Sequence, residues 1–438
     1  MLKFKWETEF KETEIGEIPK DWEVRKIKEL GKVITGKTPP TGIKEYWQGT
    51  YPFITPSDIP DYDIRYGYEV KRFLSKLWFQ KVQNLLLPKD TPCFVCIGST
   101  IGKVCITREK SFTNQQINSI ILSEEHNSLF IFYNLRANQF KIRDEFGGGG
   151  AAKDIISKSK FEQVLLPVPP TKKEQSRIAT VLSWFDDLIE NKKRQNEILE
   201  KVAMAIFKSW FVDFEPFKDE GFVYNEELGK EIPKGWEVKP IGEVADFVKG
   251  LSYRSNELVD NPTEGEIFIT LKIFKRGGGF RPEYKYYKGN RYSEEQVVYD
   301  GDLVIALTDM TSDAKVVGAP ALVILPPDRN KGILSLDAAK LNAPQYMKEY
   351  VYLYLKDSQE ENSTFANGVN VLHLNLNLFK VGKLILIPPQ PILQRFHSLV
   401  EPLFQKIILN QKQIMVLKKI RDALLPKLVF GKLRVEEI

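Results

Sequence analysis

The sequence predicts an α/β chain built twice: two duplicated globular α/β domains, each followed by a long helix, with the two helices pairing as a coiled coil. Three observations carry this. The phrase "EIPKDWEV" at Glu17–Val24 returns as "EIPKGWEV" at Glu231–Val238, seven letters of eight at an offset of 214. Other landmarks recur in the same order at nearly the same offset. Each copy then ends in a Pro-Pro pair followed by a long helical pattern.

The landmarks fix the organisation. Phe53-Ile54-Thr55 matches Phe268-Ile269-Thr270 at 215, and the proline pair ending at Pro170 matches the one ending at Pro389 at 219. Gln175, Val181, Phe185 and Asn191 match Gln394, Val400, Phe404 and Asn410, all at 219. Constant order with small drift means duplication, with insertions confined to loops. The expected divisions are 1–170 and 213–388 for the globular domains, 171–212 for the first helix, and 389–438 for the second helix and tail.

Composition sets the class. The chain has 438 residues, 42 % hydrophobic and 28 % charged, as in soluble globular proteins. No run of about 18 apolar residues exists, so no membrane-spanning helix is expected. The start, "MLKFKWETEF", lacks the apolar core of a signal peptide, and the expected location is cytoplasmic. The charge is 63 − 58 = +5. That permits a nucleic-acid partner but excludes a uniformly basic surface, so binding must come from a local basic face.

Within each globular segment, strand-like runs alternate with turns: "LLLPKDTPCFVCIGSTIGKVCIT" (85–107), "NQQINSIIL" (114–122), "EQVVYDGDLVIALTD" (295–309) and "AKVVGAPALVIL" (314–325). Cys93, Cys96 and Cys105 include a CxxC spacing. With no second pair and no histidine at matching spacing, they read as core thiols rather than a metal site. Aromatic and basic residues interleave at 45–53, 61–73 and 281–292. That mixture suits phosphate contact with stacking, and it equally suits rim packing. The glycine run "FGGGGAAKDI" (146–155) has no GK[ST] after it and is not a phosphate loop; it reads as a flexible or close-approach loop.

The helices follow. In the first, Ile178, Val181, Leu182, Phe185, Leu188, Ile189, Leu199, Val202 and Ile206 fall at three- and four-residue steps. In the second, Phe396, Leu399, Val400, Leu403, Ile407, Ile414, Leu417 and Leu424 do the same. About 36 residues make about 54 Å of helix, more than one domain face can cover, which favours helix pairing with helix. Both stripes are broken at matching places, Asn191-Lys192 and Asn410-Gln411, and facing polar layers there would fix the register.

No catalytic constellation assembles. HExxH, GxSxG, an EF-hand loop, the NPPY or DPPY tetrapeptide of amino-methyltransferases and a glycine-rich S-adenosylmethionine loop are all missing. No cofactor, metal site or catalytic residue is expected.

The plan resembles the specificity subunit of type I restriction–modification enzymes. The residues carrying the resemblance are "IGEIPKDWEV" (15–24) and its copy, "FITPSDI" (53–59), "GSTIGKV" (98–104), "TNQQI" (113–117) and "LPVPPTKKEQSRIATVLSWFDDLIENKKRQNEILE" (166–200). The resemblance implies two target recognition domains, each reading half of a split site in double-stranded DNA. It implies two helices paired antiparallel as a spacer, and pseudo-twofold symmetry. It also implies two docked methyltransferase subunits, motor–nuclease subunits for restriction, no membrane partner, and no catalysis in the subunit itself. The second half departs in places. It has "TDMTSDAK" (308–315) and "ILSLDAAKLN" (333–342) where GST and NQQ would stand, and nothing acidic where the first half has Glu174.

Candidate DNA contacts are basic or polar residues in loops beside these motifs: Lys37, Thr38, Lys44, Tyr46, Trp47, Ser57, Ser99, Thr100, Lys103 and Lys153 in the first half, and Lys249, Arg254, Lys272, Arg276 and Lys315 in the second. Two rival readings are a specificity subunit of another restriction class and a coiled-coil adaptor that binds protein alone.

Overall fold

The computed structural model describes residues 3–59, 65, 66, 70–147, 155–311 and 313–437. Two compact units divide the chain. The first holds residues up to Glu190 and from Leu417 onward; the second is Asn191–Val416. The cut passes through both long helices, Lys172–Phe211 and Gln390–Val429, each of 40 residues.

In the first unit an antiparallel sheet runs in the order Gly31–Thr35, Ile117–Leu122, Pro92–Val95, Val104–Ile106. The β-branched and aromatic runs that suggested strands are the ones buried here. Cys93, Cys96 and Cys105 are free and buried in it, and Asn118 Nδ2 donates to Cys96 Sγ at 3.1 Å. Burial pushes the Cys96 thiol up to about 12. A second sheet pairs Trp47–Ile54 with Phe112–Thr113 in parallel. Ser128–Phe146 forms a helix whose Asn127 cap accepts the Phe130 amide, and it lays Phe130, Ile131, Tyr133 and Leu135 into the core.

The second unit repeats this register. Its sheet runs Asp246–Lys249, Ala338–Asn342, Leu303–Ala306, Pro320–Leu322. Phe268 faces Ile333 in a parallel pair as Phe53 faces Phe112, and Glu237 faces Ile387 as Glu23 faces Val168. The duplication is one of hydrogen-bond pattern as well as of letters.

The repeated tryptophan explains why the opening phrase recurs. Trp22 is fully buried and donates to Glu174 Oε1 at 3.2 Å. Arg434, from the C-terminal strand Leu433–Glu437, lies 5.8 Å from the Trp22 ring centroid and binds Glu174, Asp21 and Glu7, each at 2.8 Å. Trp236 sits in the equivalent socket of the second unit, but its neighbours are Phe211, Phe214 and Phe217 at 5.9, 5.5 and 5.1 Å. At the 219 offset Leu393 replaces Glu174 and Phe214 replaces Leu433. The acid missing from the second half is therefore a change from a charged socket to an aromatic one. Gly431, at φ +70°, closes the charged socket; a Cβ there would stand 2.4 Å from the Pro19 ring.

Inside the second unit the helices run antiparallel. Lys192 Nζ donates to Gln413 Oε1 at 2.5 Å, and Asn410 Nδ2 donates to Asn196 Oδ1 at 3.0 Å, so one number rises as the other falls. Asn410 is 0 % exposed. Its partner is Asn196, not Asn191, which is exposed and accepts from Gln195 at 2.8 Å within its own helix. The expected layer of Asn191-Lys192 against Asn410-Gln411 is corrected to Asn196 with Asn410 and Lys192 with Gln413. Antiparallel pairing reverses the register that equal offsets suggest.

The buried side also differs from the simple stripe. Ile178, Val181, Leu182 and Ile189 are buried in the first unit, and Phe396, Val400 and Ile414 in the second; Phe185, Leu199, Leu403, Ile407 and Leu417 are half-buried. Val202 is 42 % exposed, and Leu188 and Leu399 are exposed as well. Ala203, Phe207, Phe404 and Ile408 take the inner positions. Phe207 reaches Tyr350 at 5.8 Å and Phe211 reaches Phe396 at 4.8 Å; these ring contacts set the helix azimuth and turn Val202 outward.

In the first unit the helix pair closes on charge. Arg421 and Asp186 are both buried, with Arg421 Nη1 to Asp186 Oδ1 at 2.7 Å. Tyr133 donates its hydroxyl to Asp186 Oδ2 at 2.7 Å, and Arg136 stands 3.6 Å from the same oxygen. Burial raises the Tyr133 phenol well above its usual range, with the Asp186 charge adding to the rise. Breaking such a pair from one side strands a buried charge. Arg421→Met should therefore cost about 3–5 kcal/mol in urea unfolding, and the Arg421→Met, Asp186→Asn double variant clearly less. Equal losses in the single and double variants would exclude this account.

Candidate nucleic-acid interface

In the first unit, four loops far apart in sequence are stitched into one surface by short polar contacts. The Asn114 amide donates to the Ile54 carbonyl at 3.2 Å, joining the TNQQ turn to the ITPSD turn. The Lys37 amide donates to the Thr113 carbonyl at 2.9 Å, and Thr38 Oγ1 donates to Gln115 Oε1 at 2.6 Å. Lys103 Nζ donates to the Ile59 carbonyl at 2.6 Å, tying the GSTIGK turn to the same place. Asp58 caps its turn by accepting the Thr55 amide at 2.8 Å and hydroxyl at 2.6 Å. Gly36 is needed because a Cβ would sit 2.1 Å from the Thr113 carbonyl oxygen.

Of the candidates on this surface, Lys37, Lys44, Ser57 and Ser99 are exposed, and Thr38, Trp47, Thr100 and Lys103 are half-buried. Thr100 donates to the Ile97 carbonyl at 3.3 Å, and Trp47 Nε1 to the Pro40 carbonyl at 3.4 Å. Tyr46 is corrected from contact residue to core. It is buried against Trp78 with ring centroids 5.2 Å apart, and Lys81 covers its face at 5.0 Å. Lys153 and the centre of the glycine run lie outside the described residues. Gln115 was missed among the candidates; it is exposed at the tip of a turn the sequence had marked as a motif.

The second unit builds the same surface on the same bonds. Gly250 donates to the Ala338 carbonyl at 3.1 Å and Leu251 to Leu334 at 2.7 Å, as Gly36 donates to Ile117 at 3.3 Å and Lys37 to Thr113. Leu334–Ala338 is therefore the backbone counterpart of Thr113–Ile117, though no letters agree. The GST turn also has a counterpart. Gly102 donates to Val95 and Val95 to Lys103 across one turn, as Gly318 donates to Ala306 and Ala306 to Ala319 across the other, but Val95 and Gly102 are seven residues apart and Ala306 and Gly318 twelve. The longer loop is held by Asp309, which accepts from Thr311 Oγ1 at 2.6 Å, the Thr311 amide at 2.8 Å and the Val316 amide at 2.7 Å. Burial works against its ionisation, yet these donors hold the carboxyl below its usual range.

Lys249, at the end of its strand, and Arg254, Lys272, Arg276 and Lys315, on the loops and turns of this second surface, are all exposed. The Gly277 amide donates to the Lys315 carbonyl at 2.7 Å, bringing two of these loops together, and Arg276 pairs with Asp313. Both surfaces thus present exposed cations on rigid turns, an arrangement suited to phosphates. Among the described residues no group of His, Cys, Asp and Glu is placed to hold a metal ion, and no helix is long and apolar enough to cross a membrane.

Comparison with known proteins places this architecture among relatives. A family model described as the type I restriction modification DNA specificity domain matches residues 19–201. The type I restriction enzyme MjaIX specificity subunit of Methanocaldococcus jannaschii is 42 % identical over 445 residues, covering 100 % of this chain and 99 % of that one. The MjaVIII specificity subunit of the same organism is 28 % identical over 312 residues, covering 70 % and 68 %. The crystal structure of the type I restriction–modification S subunit from M. genitalium shares the fold, with a TM-score of 0.57 at 19 % identity over 93 % of this chain and 96 % of that one.

The Asp309 cap makes a pH prediction. A folded pKa below the unfolded value contributes stability that is present above the unfolded pKa and lost as pH falls through the folded one. Between about pH 6 and about pH 3 the native protein should therefore lose more urea stability than Asp309→Asn does. Parallel losses would refute the cap.

Proposed function

The chain belongs to the specificity subunits of type I restriction enzymes, and we propose that it reads a divided site in double-stranded DNA, one half with each unit. In this reading the long helices set the spacing between the halves and seat two methyltransferase subunits, with motor–nuclease subunits joining for restriction. The subunit supplies recognition and no chemistry. The observation that carries the reading is the repeated loop surface: one backbone framework, made twice, bearing exposed cations both times and different side chains each time. A protein-only adaptor would have no use for that combination.

Two measurements test it. If Lys37 lies on a phosphate, Lys37→Ala should weaken the assembled methyltransferase on all DNA sequences about equally. It should also reduce the slope of log affinity against log salt by about one. An unchanged slope removes Lys37 from the interface, and salt-independent binding by the native assembly would reject the DNA-reading proposal.

The spacing role needs a matched change in both helices. Lengthening one alone would set the contact of Lys192 with Gln413 against that of Asn196 with Asn410. Seven residues inserted after Arg194 and seven after Lys412 keep the apolar faces nearly in phase and add about 10 Å. The spacer preferred in methylation of a DNA library should lengthen by about three base pairs, at about 3.4 Å each, with both half-sites unchanged. An active insert that keeps the original spacer would reject the ruler.

A further inference from the structure

The two loop surfaces share a backbone but differ in chemistry at their tips. Counting from the shared bonds, with Thr113 matched to Leu334 and Ile117 to Ala338, Gln115 corresponds to Leu336. Counting along the other turn, where Val95 matches Ala306, Ser99 corresponds to Met310. All four side chains are exposed. Where the first unit presents an amide and a hydroxyl, the second presents two aliphatic side chains.

These apolar tips are gathered and held. Asp337, next to Leu336, accepts from Thr308 Oγ1 at 3.2 Å, and its carbonyl accepts the Leu307 amide at 2.7 Å. That fixes the Leu336 turn to the strand leading to Met310. Asp309 faces Leu372 in an antiparallel pair, so Met310 leaves the strand beside the turn that carries Val369 and Val371. Met310 is 76 % exposed, Val369 91 % and Leu336 46 %. No core of this unit uses them, and exposed Lys272 and Lys315 stand on adjoining loops. An apolar tip with cations on adjoining loops suits a surface that meets phosphates at its margin and base edges at its centre. In the major groove the apolar feature of a base edge is the thymine C5-methyl.

We propose, building on the DNA-reading proposal above, that Leu336 and Met310 recognise thymine methyl groups in the half-site contacted by the second unit, while the first unit reads its half with Gln115 and Ser99 at the equivalent positions. The two halves of the site are then read by different chemistry from one framework.

The test uses the assembled methyltransferase, with its site first mapped by methylation of a DNA library. Each thymine of the site is then replaced in turn by deoxyuridine, which keeps the pairing and removes only the methyl. At least one replacement within one half-site should weaken binding, by about fourfold per lost methyl contact. The Leu336→Gln, Met310→Ser double variant should lose that sensitivity, and its responses in the other half-site should match those of the native protein. Those matching responses show that the variant folds and assembles. The proposal is overturned if no thymine in the site responds, or if the response survives in the double variant. An assembly that binds DNA without sequence preference would instead overturn the DNA-reading proposal, a result distinct from either.

Discussion

A helix of 40 residues is about 60 Å long, and each of these helices buries apolar side chains in two separate cores. Neither repeat can cover that length alone. The first helix buries Ile178, Val181 and Leu182 in the core of its own repeat, and Ala203, Phe207 and Phe211 in the core of the other. The second helix mirrors it, with Phe396 and Val400 in the second core and Leu425, Leu428 and Val429 in the first. The rest of the structure follows from that division. The C-terminal strand returns to pair with Lys3–Trp6, and the segment after the first helix supplies Phe214 and Phe217 to the second core.

Each handover needs a socket, and the two sockets solve one geometric problem differently. Trp22 is held by Glu174 and Arg434, and Trp236 by three phenylalanines. A charged cluster around a buried tryptophan is satisfied only by a specific partner set, whereas an aromatic one tolerates more arrangements. The charged version sits where the two ends of the chain must find each other, which is where specificity of partner matters most. Asp186 with Arg421, and Asn196 with Asn410, place polar contacts at intervals along the helix pairs, where an all-apolar seam would permit sliding.

Much of this was legible in the sequence because the signals were local. The repeated phrase, the strand runs and the proline punctuation each report short-range geometry, and the strands lie where those signals put them. What failed depended on distant partners. Asn191 looks like the polar layer because it matches Asn410 by offset, but antiparallel pairing gives Asn410 to Asn196. Val202 fits the stripe as well as Ala203 does, and only the ring contacts of Phe207 choose between them. Tyr46 looks like a surface aromatic until Trp78, thirty-two residues on, covers it. The counterpart of the TNQQ turn is legible only as the stretch 333–342, because no letter is shared to fix the residue-by-residue match; what Leu334–Ala338 keeps is its carbonyls.

That last case bears on how such a surface changes its preference. At Gly36 a Cβ would lie 2.1 Å from the Thr113 carbonyl oxygen, and at Gly250 2.1 Å from that of Ser335. Both glycines are demanded by the close approach of two backbones, and the loops they admit are anchored by main-chain bonds that any side chain allows. The constraint therefore falls on the hinge and spares the tip. Gln115 can become Leu336, and a seven-residue turn a twelve-residue one, without disturbing the sheet behind. A long loop still has to satisfy its own backbone, and the second unit does this by burying Asp309 beneath it. Scaffold and reading surface are thus separable in physical terms: packing and main-chain bonds hold one, and exposed side chains compose the other.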